Sequence, residues 1–239
     1  MRFLLSVQYD GSNFYGFQRL NNERSVQGEL EKALTKINKA EVTIKGAGRT
    51  DRGVHAKDQK CHCDLDISIT EEGLKKALNS MLPQDIYITK CEKVSSDFHA
   101  RFMCVKKTYK YIINMGEYNS IINNYVYNYG KKVNIKKLKK ASKVLLGAHS
   151  FEAFVSGVRE NYNSVIYNIK FKVKNDILTI EIEGKSFYRY MVRNIVGALI
   201  NISEGKSAID DLKHMVNNGK KKNYLTVPAN GLYLEKIEY

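Results

Sequence analysis

The most unusual stretch of the chain runs from residue 46 to residue 56 and reads GAGRTDRGVHA. Three glycines flank its polar residues, directly after a predicted strand. The stretch lacks the G-x-x-x-x-G-K-[ST] pattern of a phosphate-binding loop. It also departs from the G-x-G-x-x-G dinucleotide fingerprint, because Asp51 stands in place of the third glycine and its carboxylate would repel a pyrophosphate. We therefore do not expect this loop to bind nucleotide phosphates through its backbone.

Asp51 has an arginine two positions before it, Arg49, and another directly after it, Arg52. Positive charges within about 4–6 Å typically lower a carboxylate pKa by about 1–3 units. Such an aspartate is expected to stay ionised, which suits a nucleophile. The alternative is a loop aspartate whose side chain caps a neighbouring backbone N–H. Composition and spacing alone favour that alternative.

The first half of the chain around this loop shows strand and helix periodicities. A strand is predicted near the N-terminus, because one face of it would carry Phe3, Leu5, Val7 and Tyr9. Ser25 is a candidate N-cap for a helix whose apolar positions recur at helical spacing. The other predicted elements are a strand that begins at Val42–Ile44 and runs into the glycine-rich stretch, strands at Lys60–Ile67 and Ile86–Val94, and a helix at Glu71–Met81.

The pattern of elements then begins again. A strand with Tyr109 and Tyr111 precedes a helix capped by Asn134, and a hairpin turns at Asn175-Asp176. The last predicted elements are an apolar helix from Ser186 or Phe187 to about Ser203, a helix at Ala208–Val216 and a strand at Gly231–Ile237. This order predicts an α+β fold of two halves, 1–104 and 105–239. Each half resembles a split β-α-β unit with an antiparallel sheet, and a concave surface would lie between them.

Composition narrows the function class. The chain has 239 residues, 43% of them hydrophobic, so it can bury a sizeable core. It contains no run of about 18 apolar residues that would span a membrane, and its start lacks the pattern of a signal peptide. The net charge of +14 favours a polyanionic partner such as nucleic acid, with a solubilising surface as the alternative.

Four cysteines without a secretion signal indicate free thiols in a reducing cytosol. Cys61-His62-Cys63 resembles part of a zinc site, but no second paired motif stands at ligand spacing. We therefore interpret Cys61 and Cys63 as buried small apolar residues on one face of a strand.

Several stretches, taken together, resemble the tRNA pseudouridine synthase A (TruA) family. The loop GAGRTDRGVHA resembles the signature loop of that family. The further matching motifs, in chain order, are Tyr9–Gln18 (YDGSNFYGFQ), Ser25–Gln27 (SVQ), Leu82–Ile86 (LPQDI), Asp97–Phe102 (DFHARF), Lys107–Tyr111 (KTYKY), Met191–Gly197 (MVRNIVG) and Gly231–Leu234 (GLYL). The eight motifs span essentially the whole chain, which makes the resemblance specific.

The resemblance implies an isomerase of the pseudouridine synthase fold with a central RNA-binding cleft. Asp51 would be the nucleophile, attacking either the uracil ring or the ribose C1′. The N1–C1′ bond of uridine breaks, the base rotates, and the base rejoins the ribose through C5. This reaction involves no redox change and no phosphoryl transfer, so the resemblance implies no cofactor and no metal. The family acts as a homodimer on nucleotides 38–40 in the anticodon stem-loop of tRNA, and we expect a cytoplasmic enzyme. The alternative is a non-catalytic RNA-binding protein on the same fold.

The resemblance also assigns the substrate-binding residues. Tyr109 matches a tyrosine that packs on the target base, although an ordinary strand-face tyrosine would fit the pattern too. Arg193 matches an arginine that pairs with the catalytic aspartate; the alternative is an arginine on a helix rim. Arg49 would contact the RNA backbone or order the loop. For His55 a loop hydrogen bond is favoured over acid–base work, and Arg101 would support the cleft.

Some positions depart from the family pattern or lie outside it. The family usually has a small residue at the position of Arg52, glycine at that of Asp58 and tryptophan at that of Phe17. Two lysine runs, Lys136–Lys143 and Lys220–Lys222, are either solvated surface or contacts to tRNA phosphates.

Overall fold

The computed structural model describes residues 1–219 and 224–239, and these form two compact units. Unit 1 contains Met1–Val105 and Tyr233–Tyr239, and unit 2 contains Lys106–Leu232. This division differs from the predicted one, 1–104 and 105–239, in the placement of the final strand. That strand belongs to unit 1 because it pairs in parallel with a strand of the N-terminal half.

Ten strands and five α-helices are found in the described part of the chain. In chain order they are β1 (Arg2–Tyr9), α1 (Val26–Asn38), β2 (Lys45–Gly46), β3 (His55–Asp64), α2 (Glu71–Met81), β4 (Ile86–Val94), β5 (Lys106–Asn114), β6 (Tyr127–Asn128), α3 (Ile135–Ser142), β7 (Gly147–Ser150), β8 (Asn163–Lys174), β9 (Ile177–Gly184), α4 (Met191–Ser203), α5 (Ile209–Asn218) and β10 (Leu232–Glu238).

In unit 1 the strand order is β4-β1-β3-β10, and the short β2 pairs with β3. Strand β1 is antiparallel to both β3 and β4, whereas β10 runs parallel to β3. Both predicted helices of this unit are confirmed. The Ser25 side chain accepts a hydrogen bond from Gly28 N at the start of α1, and Thr70 does the same for Gly73 N in α2. Their inward positions, which are fully buried, include Val26, Leu30, Leu34, Leu74 and Leu78.

The predicted strand that begins at Val42–Ile44 and runs into the glycine-rich stretch starts later than predicted, at Lys45. The segment Val42–Ile44 is not part of it. Its backbone N–H groups bond to side chains of α1 rather than to a neighbouring strand. Val42 N donates to Thr35 Oγ1 at 3.1 Å and Ile44 N donates to Glu31 Oε1 at 3.0 Å. Side chains thus satisfy these donors, and sheet pairing is left to the two residues of β2.

In unit 2 the strand order is β5-β9-β8-β7, all antiparallel, with β6 alongside β5. The predicted hairpin at Asn175-Asp176 is confirmed, and Asn175 adopts a positive φ of 53° in the turn between β8 and β9. Asn134 caps α3 as predicted, since its side chain accepts a hydrogen bond from Lys137 N. The apolar helix begins later than predicted, at Met191, because Tyr190 before it takes a left-handed conformation with φ 65°.

Three residues of the MVRNIVG motif on α4 contact residues 225–227, the segment that crosses this helix. Arg193 Nε donates to Val227 O at 2.7 Å, and Asn194 Oδ1 accepts a hydrogen bond from the Thr226 hydroxyl at 2.6 Å. A Cβ atom built on Gly197 would lie 1.9 Å from Leu225 O. The glycine is therefore needed for the close approach of this backbone to the helix.

Gly197→Ala is expected to lower the free energy of unfolding by about 1–3 kcal/mol, because the new methyl group forces the crossing segment away from α4. Gly28→Ala in α1 is the matched control, since its Cβ would have as its nearest neighbour a side-chain oxygen, Ser25 Oγ, at 3.1 Å. Denaturant unfolding of both variants measures the difference. A Gly197→Ala protein as stable as wild type would contradict the packing described for α4.

Candidate active site

The glycine-rich loop, residues 46–56, leaves β2 and enters β3 with its first part tied to the sheet. Ala47 N donates to Lys60 O at 2.7 Å, and Gln59 Nε2 donates to Gly48 O at 3.2 Å. Gly46 lies against the ring of Phe17, which a Cβ atom would meet at 2.5 Å. Gly46 thus allows a close approach that a side chain would block.

The second part of the loop lies against the N-terminal segment Phe14–Phe17. Phe17 N donates to Thr50 O at 3.1 Å, and Gly53 N donates to Phe14 O at 3.4 Å. Between these bonds, Gly16 has φ 101°, and a Cβ atom built on it would lie 2.7 Å from Thr50 O. The two segments are therefore joined backbone to backbone on either side of Asp51.

A buried hydrogen bond anchors the residue that precedes Asp51. The Tyr9 hydroxyl lies 2.8 Å from Thr50 Oγ1, and both side chains are buried. Burial raises the pKa of Tyr9 well above its usual range, so the phenol keeps its proton at neutral pH. The alternation of apolar residues in β1 predicts only a core role for Tyr9, whereas the structure gives it a second role in holding the loop.

Asp51 itself is half-buried, and its carbonyl accepts a hydrogen bond from Val54 N at 3.1 Å. The neighbouring arginines are exposed. The guanidinium carbon of Arg52 lies 4.1 Å from the centroid of the Tyr15 ring. Within residues 1–219 and 224–239, neither Arg49 nor Arg52 has a carboxylate at ion-pair distance. The two cations flank the aspartate without forming a salt bridge to it.

His55, near the end of the loop, contacts residues in the protein interior. It is buried, and its ring stacks on Tyr233 of β10 with centroids 4.7 Å apart. Its Nδ1 accepts a hydrogen bond from Gly11 N at 3.1 Å and lies 3.1 Å from Asp10 Oδ1. These contacts join the end of the loop to the turn after β1. The sequence does not predict Asp10 or Tyr233 as site residues, because no local pattern indicates that either of them contacts His55.

Arg101 lies at the other end of β3. The segment that carries it is docked by Ala100, whose N–H donates to His62 Nδ1 at 3.1 Å and whose carbonyl accepts from the Tyr239 hydroxyl at 2.9 Å. His62 is seven residues beyond His55 in β3, which is about 23 Å along a strand. Burial lowers the pKa of His62 to about 4, so this docking histidine is neutral. The segment of Arg101 is thus docked beside the His62 end of β3, and the role of Arg101 in supporting the cleft stays a prediction.

In unit 2, Tyr109 lies on β5 with its side chain buried. The ring of Phe187 packs against it edge to face, with centroids 5.0 Å apart and planes at 73°. Phe187 is not among the residues that the sequence predicts for the site. Tyr111, two residues further on, is fully buried and donates its hydroxyl to Pro228 O at 2.7 Å, so it belongs to the core rather than to the site.

Arg193 is half-buried near the start of α4. Besides the bond of its Nε to Val227 O, its guanidinium carbon lies 4.8 Å from the centroid of Tyr190. The pairing of Arg193 with Asp51, which belongs to unit 1, stays a prediction.

The cysteine motif in β3 has the burial that the sequence predicts, since Cys61 and Cys63 are both buried. No group of three or more His, Cys, Asp or Glu residues that could hold a metal ion occurs in the described ranges. No helix formed by these same residues is long and apolar enough to cross a membrane.

Comparison with known proteins identifies the family. A family model described as tRNA pseudouridine synthase matches residues 5–103 and 141–239. The tRNA pseudouridine synthase A of Pseudothermotoga lettingae is 40% identical over 243 residues, covering 100% of this chain and 99% of the relative. The enzymes of the same name from Thermosipho melanesiensis and Clostridium botulinum are 39% and 40% identical, each over 98% or more of both chains.

The chain therefore belongs to the tRNA pseudouridine synthase family. Pseudouridine synthases are isomerases, so the predicted family and enzyme class are confirmed. The mixed α+β architecture with largely antiparallel strands confirms the predicted fold class.

A double-mutant cycle tests whether Tyr9 and Thr50 anchor the loop. Tyr9→Phe and Thr50→Val should each lower the free energy of unfolding by about 1–2 kcal/mol, because each leaves a buried hydroxyl without its partner. The double variant should lose about 1 kcal/mol less than the sum of the two. Tyr87→Phe, at a tyrosine that is 51% exposed, is the control. Strict additivity in denaturant unfolding would contradict a bond between the two hydroxyls.

Proposed function

We propose that this protein isomerises uridine to pseudouridine at nucleotides 38–40 in the anticodon stem-loop of tRNA, with Asp51 as the nucleophile. The observation that carries the proposal is a half-buried aspartate in a loop fixed on both sides by backbone hydrogen bonds, in a chain of this family. A carboxylate held in one position is what a covalent mechanism requires, because orientation supplies much of the rate enhancement.

The reaction proceeds without redox change. The Asp51 carboxylate forms a bond to the ribose C1′ or to the uracil ring, and the N1–C1′ bond breaks. The base turns, C5 bonds to C1′, and the bond to Asp51 breaks so that the carboxylate is regenerated. The hydrogen on C5 leaves as a proton while N1 gains one, so the proton count does not change. The product is an isomer of the substrate. All steps use the carboxylate and proton transfer, so the proposed mechanism needs no cofactor.

The target base must leave its stack to reach Asp51, at a cost of a few kcal/mol. Stacking on an aromatic side chain can return about 1–3 kcal/mol per base. Tyr109 is proposed to supply this stacking. The ring of Phe187 packs against Tyr109 with the two planes at 73°, which supports a fixed orientation for the Tyr109 ring and for the base on it.

The remaining site residues have supporting roles in the proposal. Arg193 is the proposed partner of the Asp51 carboxylate, and Arg49, exposed and outside any ion pair in the described chain, is the proposed contact to the RNA backbone. His55 orders the loop through its bond to Gly11 rather than acting as an acid or base. Arg101 is proposed to contact RNA outside the reacting nucleotide, since it lies at the far end of β3.

We further propose that the enzyme acts in the cytoplasm as a homodimer, with the two halves of the chain binding one tRNA. Exposed lysines on α3 are proposed to bind tRNA phosphates, whereas Lys220–Lys222 lie outside the described residues. The lysines of this face are Lys136, Lys137, Lys139 and Lys140 of α3 and Lys143 directly after it. The helix has no acidic residue, and no acid in the described ranges pairs with any of these lysines.

Asp51→Asn should reduce pseudouridine formation by at least about 10⁴-fold, because an amide cannot act as the nucleophile. Affinity for tRNA should change much less. Asp210→Asn, at an exposed carboxylate on α5, is the charge-matched control and should keep full activity. Pseudouridine is measured by mass spectrometry of digested tRNA. Full activity of Asp51→Asn would overturn the nucleophile assignment. A wild-type enzyme that binds tRNA without forming pseudouridine would favour the non-catalytic alternative.

The lysine face on α3 predicts a change in the salt dependence of tRNA binding. The double variant Lys136→Gln/Lys140→Gln should reduce the magnitude of the log–log slope by about 0.7–0.9 for each phosphate that is no longer neutralised. The control is Lys76→Gln/Lys213→Gln, since each of these lysines lies near an acid of its own helix. Affinity measured over a series of salt concentrations gives both slopes. Equal slopes for the two double variants would identify the α3 lysines as a solvated face.

A further inference from the structure

Arg52 and Tyr15 form an exposed pair beside the aspartate of the catalytic loop. The guanidinium carbon of Arg52 lies 4.1 Å from the centroid of the Tyr15 ring, within the range of a cation–π contact. Tyr15 is 39% exposed, and Arg52 is exposed and directly follows Asp51. None of the roles proposed above uses either side chain.

A cation–π contact leaves the hydrogen-bonding groups of Arg52 available. A guanidinium stacks through its flat face, whereas its five N–H donors point outward in the plane of the group. Contact with the Tyr15 ring therefore orients the donors without consuming them. Two parallel N–H groups match two oxygens of a phosphate.

The Tyr15 ring stands on a fixed backbone. Tyr15 N donates to Arg24 O at 2.9 Å, and the residues on either side of it belong to the segment bonded to the loop through Phe17 N and Gly53 N. The arginine and the tyrosine are thus carried by two segments that cannot separate without breaking those bonds. The ring contact restricts the Arg52 side chain before a ligand binds, which lowers the entropy that binding costs.

The charge of Arg52 is also uncompensated, like that of Arg49 and unlike that of Arg19 and Arg24 in the N-terminal segment. Arg24 is paired with Asp85 at 2.7 Å and Arg19 with Glu31 at 3.1 Å. Arg52 has no acid at ion-pair distance in the described residues. An RNA strand that approaches Asp51 brings its own negative charge toward a carboxylate, and a cation next to the carboxylate offsets that repulsion.

From these observations we propose that Arg52, held on the Tyr15 ring, binds a backbone phosphate of the RNA next to the target uridine. The ligand is a phosphodiester group, and the contact positions the strand so that the target sugar faces Asp51. The inference rests on the proposed function. It assigns Arg52 and Tyr15 to substrate positioning and not to the chemical step.

The test is a cycle between protein and RNA variants. Binding is measured with Asp51→Asn and with Asp51→Asn/Arg52→Ala, so that no turnover occurs. The RNA is an anticodon stem-loop in which one phosphate at a time, within two nucleotides of the target, is replaced by a neutral methylphosphonate. The preceding sugar carries a 2′-O-methyl group, which the control RNA carries too. At one of these linkages the methylphosphonate should weaken RNA binding about tenfold in the Asp51→Asn protein. The same methylphosphonate should have little effect on RNA binding in the Asp51→Asn/Arg52→Ala protein.

Three further variants separate the charge of Arg52 from its geometry. Arg52→Ala should reduce the magnitude of the log–log salt slope by about 0.7–0.9, which is one phosphate. Arg52→Lys should keep that slope while losing part of the affinity, and Tyr15→Leu should lose affinity with the slope unchanged. Lys76→Ala, an exposed cation on α2, is the control and should behave as the parent protein. If Arg52→Ala does not fold, the same cycle is run with Arg52→Gln.

The inference is overturned if every methylphosphonate costs the same with and without Arg52. Its failure can be told apart from failure of the proposed function. Wild-type protein is assayed for pseudouridine on the unmodified stem-loop and on full-length tRNA in the same experiment. An active wild-type enzyme with purely additive cycles rejects only the role of Arg52. An inactive wild-type enzyme rejects the proposed function itself.

Discussion

The loop that carries Asp51 is held by a backbone-to-backbone contact that only glycine permits. Gly16 has φ 101°, and a Cβ atom there would lie 2.7 Å from Thr50 O. That approach allows Phe17 N and Gly53 N to donate across the contact, on either side of the aspartate. Any larger residue at position 16 would separate the two segments and would move the turn on which Asp51 stands.

Buried side chains hold the same loop from the protein interior. The Tyr9 hydroxyl bonds to Thr50, Gln59 bonds to Gly48, and His55 accepts a hydrogen bond from Gly11. The motifs at residues 9–18 and 46–56 are therefore the two sides of one contact. In the proposed mechanism this fixed position of the loop serves catalysis, since a displacement of about 1 Å at a reacting group can cost about 100-fold in rate.

The elements that can be predicted from the sequence are those with a local signal. Periodicity and caps predict α1 and α2, because Ser25 and Thr70 act on residues three positions away. The prediction is wrong where contacts with another element determine the local structure. At Val42–Ile44 the N–H groups bond to side chains of α1 and not to a neighbouring strand. The closing strand β10 lies in unit 1 rather than with the C-terminal half for the same reason, since its own residues carry no sign of its pairing with β3.

The candidate site likewise contains residues that the sequence predicts and residues that it does not. The resemblance of the loop to a known signature points to Asp51, although spacing alone favours an ordinary capping aspartate. The supporting residues are not predicted because their contacts are remote in sequence: Gly16 reaches Thr50, and Tyr233 reaches His55 from the end of the chain. In the sequence, Arg52 is only a departure from the family pattern. In the structure, its guanidinium group packs on the Tyr15 ring.

The most direct test of the central claim is pseudouridine mapping in tRNA from a strain that lacks this gene. The account predicts that pseudouridine disappears at nucleotides 38–40 of the anticodon stem-loop and persists at other tRNA positions. Wild-type protein should restore it, and Asp51→Asn protein produced at the same level should not. A tRNA pseudouridine profile unchanged by the deletion, or restored by the Asp51→Asn protein, would contradict the account.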